Sequence, residues 1–124
     1  MATNTPWGTS QLTEKIAPGI MSYVTASHGG YHLSPSRMAS LPDAFKTAKP
    51  FLSDGWFEED CDWAIVFLAF PTEFFTHLGP EAYVKHYHEA ERTLRNWHPD
   101  TWEAHFGRKL KVGESYKKDK ELTK

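Results

Sequence analysis

The feature that most limits what this chain can fold into is a stripe late in the sequence. Tyr83, Tyr87, Ala90, Leu94 and Trp97 recur at i, i+4, i+7, i+11 and i+14, the spacing that puts side chains on one face of an α-helix. Pro80 stands at its start, where a missing N–H costs nothing, and Glu81/Lys85 and Lys85/Glu89 give i, i+4 charge pairs on the other side. His98-Pro99 ends it, because the residue before a proline is pushed out of helical geometry. A second short helix over 99–106 then buries Trp102 and Phe106 and stops at Gly107. Trp63 and Trp97 are both assigned to the core. A helix with one apolar stripe needs a surface to lie on, and the rest of the sequence must supply it.

The upstream half reads as that surface. IMSYVT at 20–25 is rich in strand formers, ASHGG supplies turn residues and 31–33 resumes an extended pattern, which together read as a β-hairpin tipped by His28, Gly29 and Gly30. Ser34-Pro35 is a helix start with serine as N-cap, predicting a short helix over 35–41. Pro42 and Pro50 break up the next segment, and FLSDG at 51–55 is a turn. The apolar run 64–70 suits a buried strand or a buried helix. Glu58, Glu59, Asp60 and Asp62 ahead of it suit the positive end of a helix dipole, and Pro71 bounds it, so the reading is a helix over 58–70. The expected architecture is one α+β domain over 1–107, a small antiparallel hairpin or sheet packed on two main helices plus short ones. Residues 108–124 form a lysine-rich tail that on its own lacks the apolar groups to order itself.

Composition sets limits on function. With 124 residues, 40% apolar and 15% aromatic, the chain can bury one core. A net charge of -2 and a pI near 6.4 give no overall field that draws it onto nucleic acid or an anionic membrane, so nucleic-acid contact is expected only through the tail. The single cysteine excludes an internal disulfide and any Cys-only zinc site. The start, MATNTPWGTS, lacks the basic and apolar regions of a signal peptide, and the longest apolar run falls far short of the roughly 20 residues that span a bilayer. The expected setting is the cytosol. No Walker loop, GxGxxG, GxSxG, HExxH or EF-hand pattern is present, and no cofactor is expected.

Two stretches carry chemistry-bearing side chains, SHGGYHLSPS at 27–36 and WFEEDCDW at 56–63. His28 or His32 with Cys61 imitates a cysteine–histidine hydrolase, but four acids around the thiol raise its pKa and oppose a thiolate. Glu58, Glu59 and Asp60 with the histidines suit a divalent cation for hydrolysis. On a helix, Glu58 and Asp62 share a face while Asp60 points away, so few could meet at one ion, and dipole partners are the simpler role. His32 alternates with Tyr31 and Leu33 and faces away from them. His86 and His88 sit about 200° apart on their helix and cannot chelate one ion. His98 is expected to cap the last helix; His77 and His105 carry no signal.

TPWG, APGI, TASHGGYHLS, WFEEDCDWAIV, FPTEFF and TLRNWHPDTWEAHFG together resemble a family of small uncharacterised proteins and domains of bacteriophages and integrative conjugative elements, over 5–107. The resemblance transfers no catalytic residue. It implies an anti-defence protein acting by binding in the host bacterial cytosol, blocking an immune effector such as a CRISPR nuclease complex or sequestering its nucleotide signal. The binding residues expected on that reading are His28, Gly29, Gly30, Tyr31, Trp56, Glu58, Glu59 and Asp60, with Trp7 as a further anchor, since aromatic side chains concentrate binding energy. Two alternatives stand beside it. One is a metal-dependent or Cys/His hydrolase built from His28, His32, Glu58, Glu59, Asp60 and Cys61. The other is a structural or DNA-associated accessory protein using the tail.

Overall fold

The computed structural model describes residues 3–122, and they form an α+β domain. A small hairpin, β1 (Asn4–Thr5) and β2 (Gly8–Thr9), leads into β3 (Leu12–Ala17), β4 (Ile20–Val24) and β5 (Gly29–Leu33). After two short helices, α1 (Pro35–Ala39) and α2 (Asp43–Lys46), β6 (Trp56–Glu58) returns to the edge of β5, giving an antiparallel sheet of order β3-β4-β5-β6. The rest is helical: α3 (Trp63–Ala69), α4 (Pro71–Leu78), α5 (Pro80–Trp97), α6 (Pro99–Phe106) and α7 (Tyr116–Leu122).

Side-chain alternation gives the sheet two characters. Leu33 opposes Ile20 and Tyr31 opposes Phe57, and on this inner face Ile20, Leu33 and Phe57 are buried. Helix α3 lies in the core, with every residue from Ala64 to Ala69 buried, as expected of a helix that is apolar all round. Helix α5 packs against it, and Ala90 and Leu94 from the stripe are fully enclosed. The outer face of the sheet carries an aromatic cluster instead. His32 and Tyr23 lie 4.4 and 5.4 Å from the Trp56 ring, and Trp7, in the β1–β2 turn, meets Trp56 edge-on at 5.7 Å. His32 is half-buried, facing opposite to Leu33 as alternation requires.

Capping chemistry works as the sequence implies at several ends. The Ser34 hydroxyl accepts from the Arg37 N–H at 3.1 Å at the start of α1, Pro80 and Pro99 open α5 and α6, and Gly107 closes α6 in the left-handed region at φ 74°. Pro71 does more than bound an apolar run, since it opens α4. Arg37 ties α1 to its surroundings by donating to the Pro18 carbonyl at 2.8 Å and to Glu73 of α4.

Four expectations are corrected. No helix runs over 58–70: Glu58 belongs to β6 and residues 59–62 are a turn, with α3 starting at Trp63. The cause is local. The Glu58 carboxylate accepts from the backbone N–H groups of Asp60, Cys61 and Asp62 at 2.8, 2.5 and 2.7 Å, giving that backbone an alternative to helix. Gly29 and Gly30 are not turn residues but strand residues of β5. They are needed because a Cβ on Gly30 would stand 2.2 Å from the Phe57 carbonyl and 2.6 Å from the Trp7 ring, while one on Gly29 would stand 2.8 Å from the Tyr23 carbonyl. Trp97, in the last turn of α5, leaves the core and is 41% exposed, its ring meeting the exposed Tyr116 at 5.2 Å rather than the buried cluster; Trp63 is half-buried. The segment past Gly107 is docked rather than loose, with Leu110 and Ser115 buried and α7 lying on α5.

Candidate functional site

Between the inner face of the sheet and helices α3, α4 and α5 lies an open cleft of about 440 Å³. Its floor is apolar and aromatic, including Ile16, Tyr31, Phe67 and Phe74. Tyr31 meets Phe74 edge-on at 5.3 Å, and Phe74 lies 4.9 Å from Phe67. Three carboxylates line it: Glu14 from β3, Glu59 from the turn after β6 and Glu89 from α5. Each has an imidazole beside it. His77 Nε2 is 3.0 Å from Glu14, His28 Nδ1 is 3.7 Å from Glu59, and His86 Nδ1 is 3.8 Å from Glu89. Burial and the nearby Glu14 carboxylate push the Tyr31 hydroxyl up to about 12, so it stays protonated at neutral pH. That hydroxyl has no hydrogen-bond partner among the described residues.

The expected binding residues divide between this cleft and other surfaces. Gly29, Gly30, Tyr31 and Glu59 line the cleft, and His28 stands at its rim through Glu59. The two stretches SHGGYHLSPS and WFEEDCDW therefore do meet in space, at His28 and Glu59. Trp56 lies in the aromatic cluster on the outer face. Glu58 is engaged in holding the 60–62 backbone, and Asp60 is exposed in that turn. Glu14, His77, His86 and Glu89 were not among the sequence candidates. Glu14 and His77 are 63 positions apart, and no local pattern links them.

The residues of the hydrolase alternative are dispersed. His28 and Glu59 are at the cleft rim, whereas His32 packs at a tilt against Trp56, its Nε2 3.1 Å from the Asp54 carbonyl. Cys61 opens on a separate groove with His98. Burial, then Glu58, Asp62 and Asp60, push the Cys61 thiol up to about 11, so little thiolate exists at neutral pH. No three His, Cys, Asp or Glu side chains are grouped to hold a metal ion among the described residues.

His98 stands at the N-cap position of α6 but makes no side-chain cap bond. Its Nε2 lies 2.9 Å from Asp62 Oδ1, and Asp62, fully buried, also accepts from the Phe51 N–H at 2.8 Å. This interior pair fixes the loop before β6 to the α5–α6 junction.

Fold and cleft define a small α+β domain built around a polar-rimmed, aromatic-floored recess. The family model described as domain of unknown function (DUF7007) matches residues 1–124, and the chain belongs to that family. No curated protein matches the chain, and no solved structure does. No helix among the described residues is long and apolar enough to cross a membrane.

Proposed function

We propose that this protein acts by binding, and that the cleft receives a cationic side chain, a guanidinium or an ammonium, from a basic surface of its target. The observation that carries this reading is the joint presence of Glu14, Glu59 and Glu89 around one aromatic floor. Carboxylates attract a cation from a distance, and aromatic faces hold it once water is displaced. An Arg side chain is long enough to rest its head on Tyr31 or Trp63, the half-buried rings that line the cleft, while its donors reach a rim carboxylate.

The resemblance of the sequence motifs to mobile-element proteins supports an anti-defence role for this binding, in the cytosol of a host bacterium. Effectors that handle nucleic acid carry basic surfaces, and an acidic recess complements them. Sequestration of a nucleotide signal fits this cleft less well, because its carboxylates repel phosphate. The raised Cys61 thiol and the dispersal of the hydrolase candidates favour binding over catalysis.

The test is phage plaquing against a panel of bacterial defence systems, with the wild-type protein and the variant E14Q/E59Q/E89Q. The reading expects rescue from at least one system by the wild type and loss of rescue by the variant with its fold intact. Rescue from none, or undiminished rescue by the variant, contradicts it. Glu58 is left untouched because its carboxylate supports the backbone. Binding should also weaken with added salt, through screening of the three carboxylates.

A further inference from the structure

At the far end of α5 from the cleft lies a groove of about 610 Å³, within the size range of ligand sites. Three aromatic rings there face solvent: Phe51 is 80% exposed, Trp97 41% and Tyr116 55%. Their rings are open while their backbones are held. The Phe51 N–H donates to the buried Asp62 carboxylate at 2.8 Å, and Asp62 also anchors His98, next to Trp97. The Tyr116 N–H donates to Asn96 Oδ1 at 3.1 Å, and the Trp97 and Tyr116 rings lie 5.2 Å apart. An exposed aromatic ring on a fixed backbone loses little freedom when another flat group stacks on it.

The same groove is edged by lysines. Lys49 and Lys117 have no ion-pair partner among the described residues, while Lys120 lies over the Tyr116 ring at 5.9 Å and Lys118 is paired with Glu103. Asp100 and Glu121 also line it, so lysines outnumber acids without excluding them. Stacking platforms interleaved with lysines match successive bases joined by phosphates. A duplex hides its base faces, and a single free nucleotide would use one ring of the three.

We propose that this groove binds single-stranded nucleic acid, with bases stacking on Phe51, Trp97 and Tyr116 and phosphates meeting Lys49 and Lys117. The site is distinct from the acidic cleft and stands or falls separately. The net charge of -2 supplies no long-range attraction, so binding relies on these local contacts.

The test is fluorescence anisotropy of the full chain with a labelled twelve-residue oligothymidylate, against the matching duplex and against adenosine monophosphate as competitor. Two phosphate contacts imply a log–log salt slope of about -1.4, hence roughly sevenfold weaker binding at 200 mM than at 50 mM salt. F51A, which removes a ring that is almost wholly exposed and leaves the core alone, should weaken binding by at least about fivefold. K49E/K117E should abolish most of the salt slope. Absence of binding at 50 mM salt overturns the proposal. So does equal affinity for the duplex, equal competition by the mononucleotide, or indifference to F51A and K49E/K117E.

Discussion

The Glu58 carboxylate accepts three successive backbone N–H groups, those of residues 60, 61 and 62, and so decides where β6 ends and α3 begins. Hydrogen bonds to a charged acceptor are worth about 1.5–3 kcal/mol, and removing the acceptor strands its donors. E58A should therefore destabilise the protein by about that amount in urea unfolding, whereas D60A, in the exposed part of the turn, should change stability by less than about 0.5 kcal/mol. Equal effects would show that the capping is incidental. Next to it, the Cys61 thiol pushed from 9.0 to about 11 implies a thiolate fraction lower by about a hundredfold near neutral pH. Its reaction with a disulfide reagent at pH 8 should be correspondingly slow in the native state and recover in urea; a native rate equal to that in urea would contradict this. The direction of that shift was legible from the four acids in the sequence. Its largest cause, burial, was not, because burial depends on the elements that close over the thiol.

At the scale of elements, helices marked by their own residues were readable. Proline starts, the Ser34 cap and Gly107 act through neighbours in sequence, and α1, α5 and α6 follow them. Elements fixed by partners were not. The exposed LTEKIA of β3 becomes a strand by pairing with β4, β6 by pairing with β5, and α7 by docking on α5. That docking depends on carboxylates. Glu103 accepts from Lys118 at 2.5 Å and from the Leu110 N–H at 2.7 Å, which hold it below its ordinary 4.5. Arg108, then the Lys111 N–H, hold Glu114 down at about 2. Folded-state values below the unfolded ones mean that the docking is fully supported above pH 4.5 and lost as pH falls towards 2. Amide exchange in 110–119 should therefore speed up between pH 5 and pH 2.5, beyond the intrinsic change, while α3 stays protected. Unchanged protection in that segment would show that the carboxylates do not hold it. G30A tests the N-terminal hairpin in the same way. Its Cβ would displace Trp7 or the Phe57 carbonyl, at a cost of about 1–3 kcal/mol, visible as altered tryptophan fluorescence and an earlier urea midpoint.

The molecule as a whole separates two kinds of surface along one helix. His86 and Glu89 bring α5 to the acidic cleft, and Trp97 brings its other end to the lysine-edged groove, about 16 Å further along by the rise of a helix from His86. One part of the cleft was legible in sequence, through Gly29, Gly30, Tyr31 and Glu59. The rest arrives from β3, β4, α3, α4 and the middle of α5, and only the tertiary packing brings Glu14, His77, His86 and Glu89 to it. The central claim is that this cleft takes a cation. The most direct measurement is a two-dimensional amide and aromatic nuclear magnetic resonance titration with a blocked arginine-containing peptide, beside an identical peptide carrying citrulline in its place. The account predicts saturable shifts centred on Tyr31, Trp63 and Glu89, absent with citrulline and lost in E14Q/E59Q/E89Q. Shifts that are absent, lie away from the cleft, or persist with citrulline or in the triple variant would contradict it.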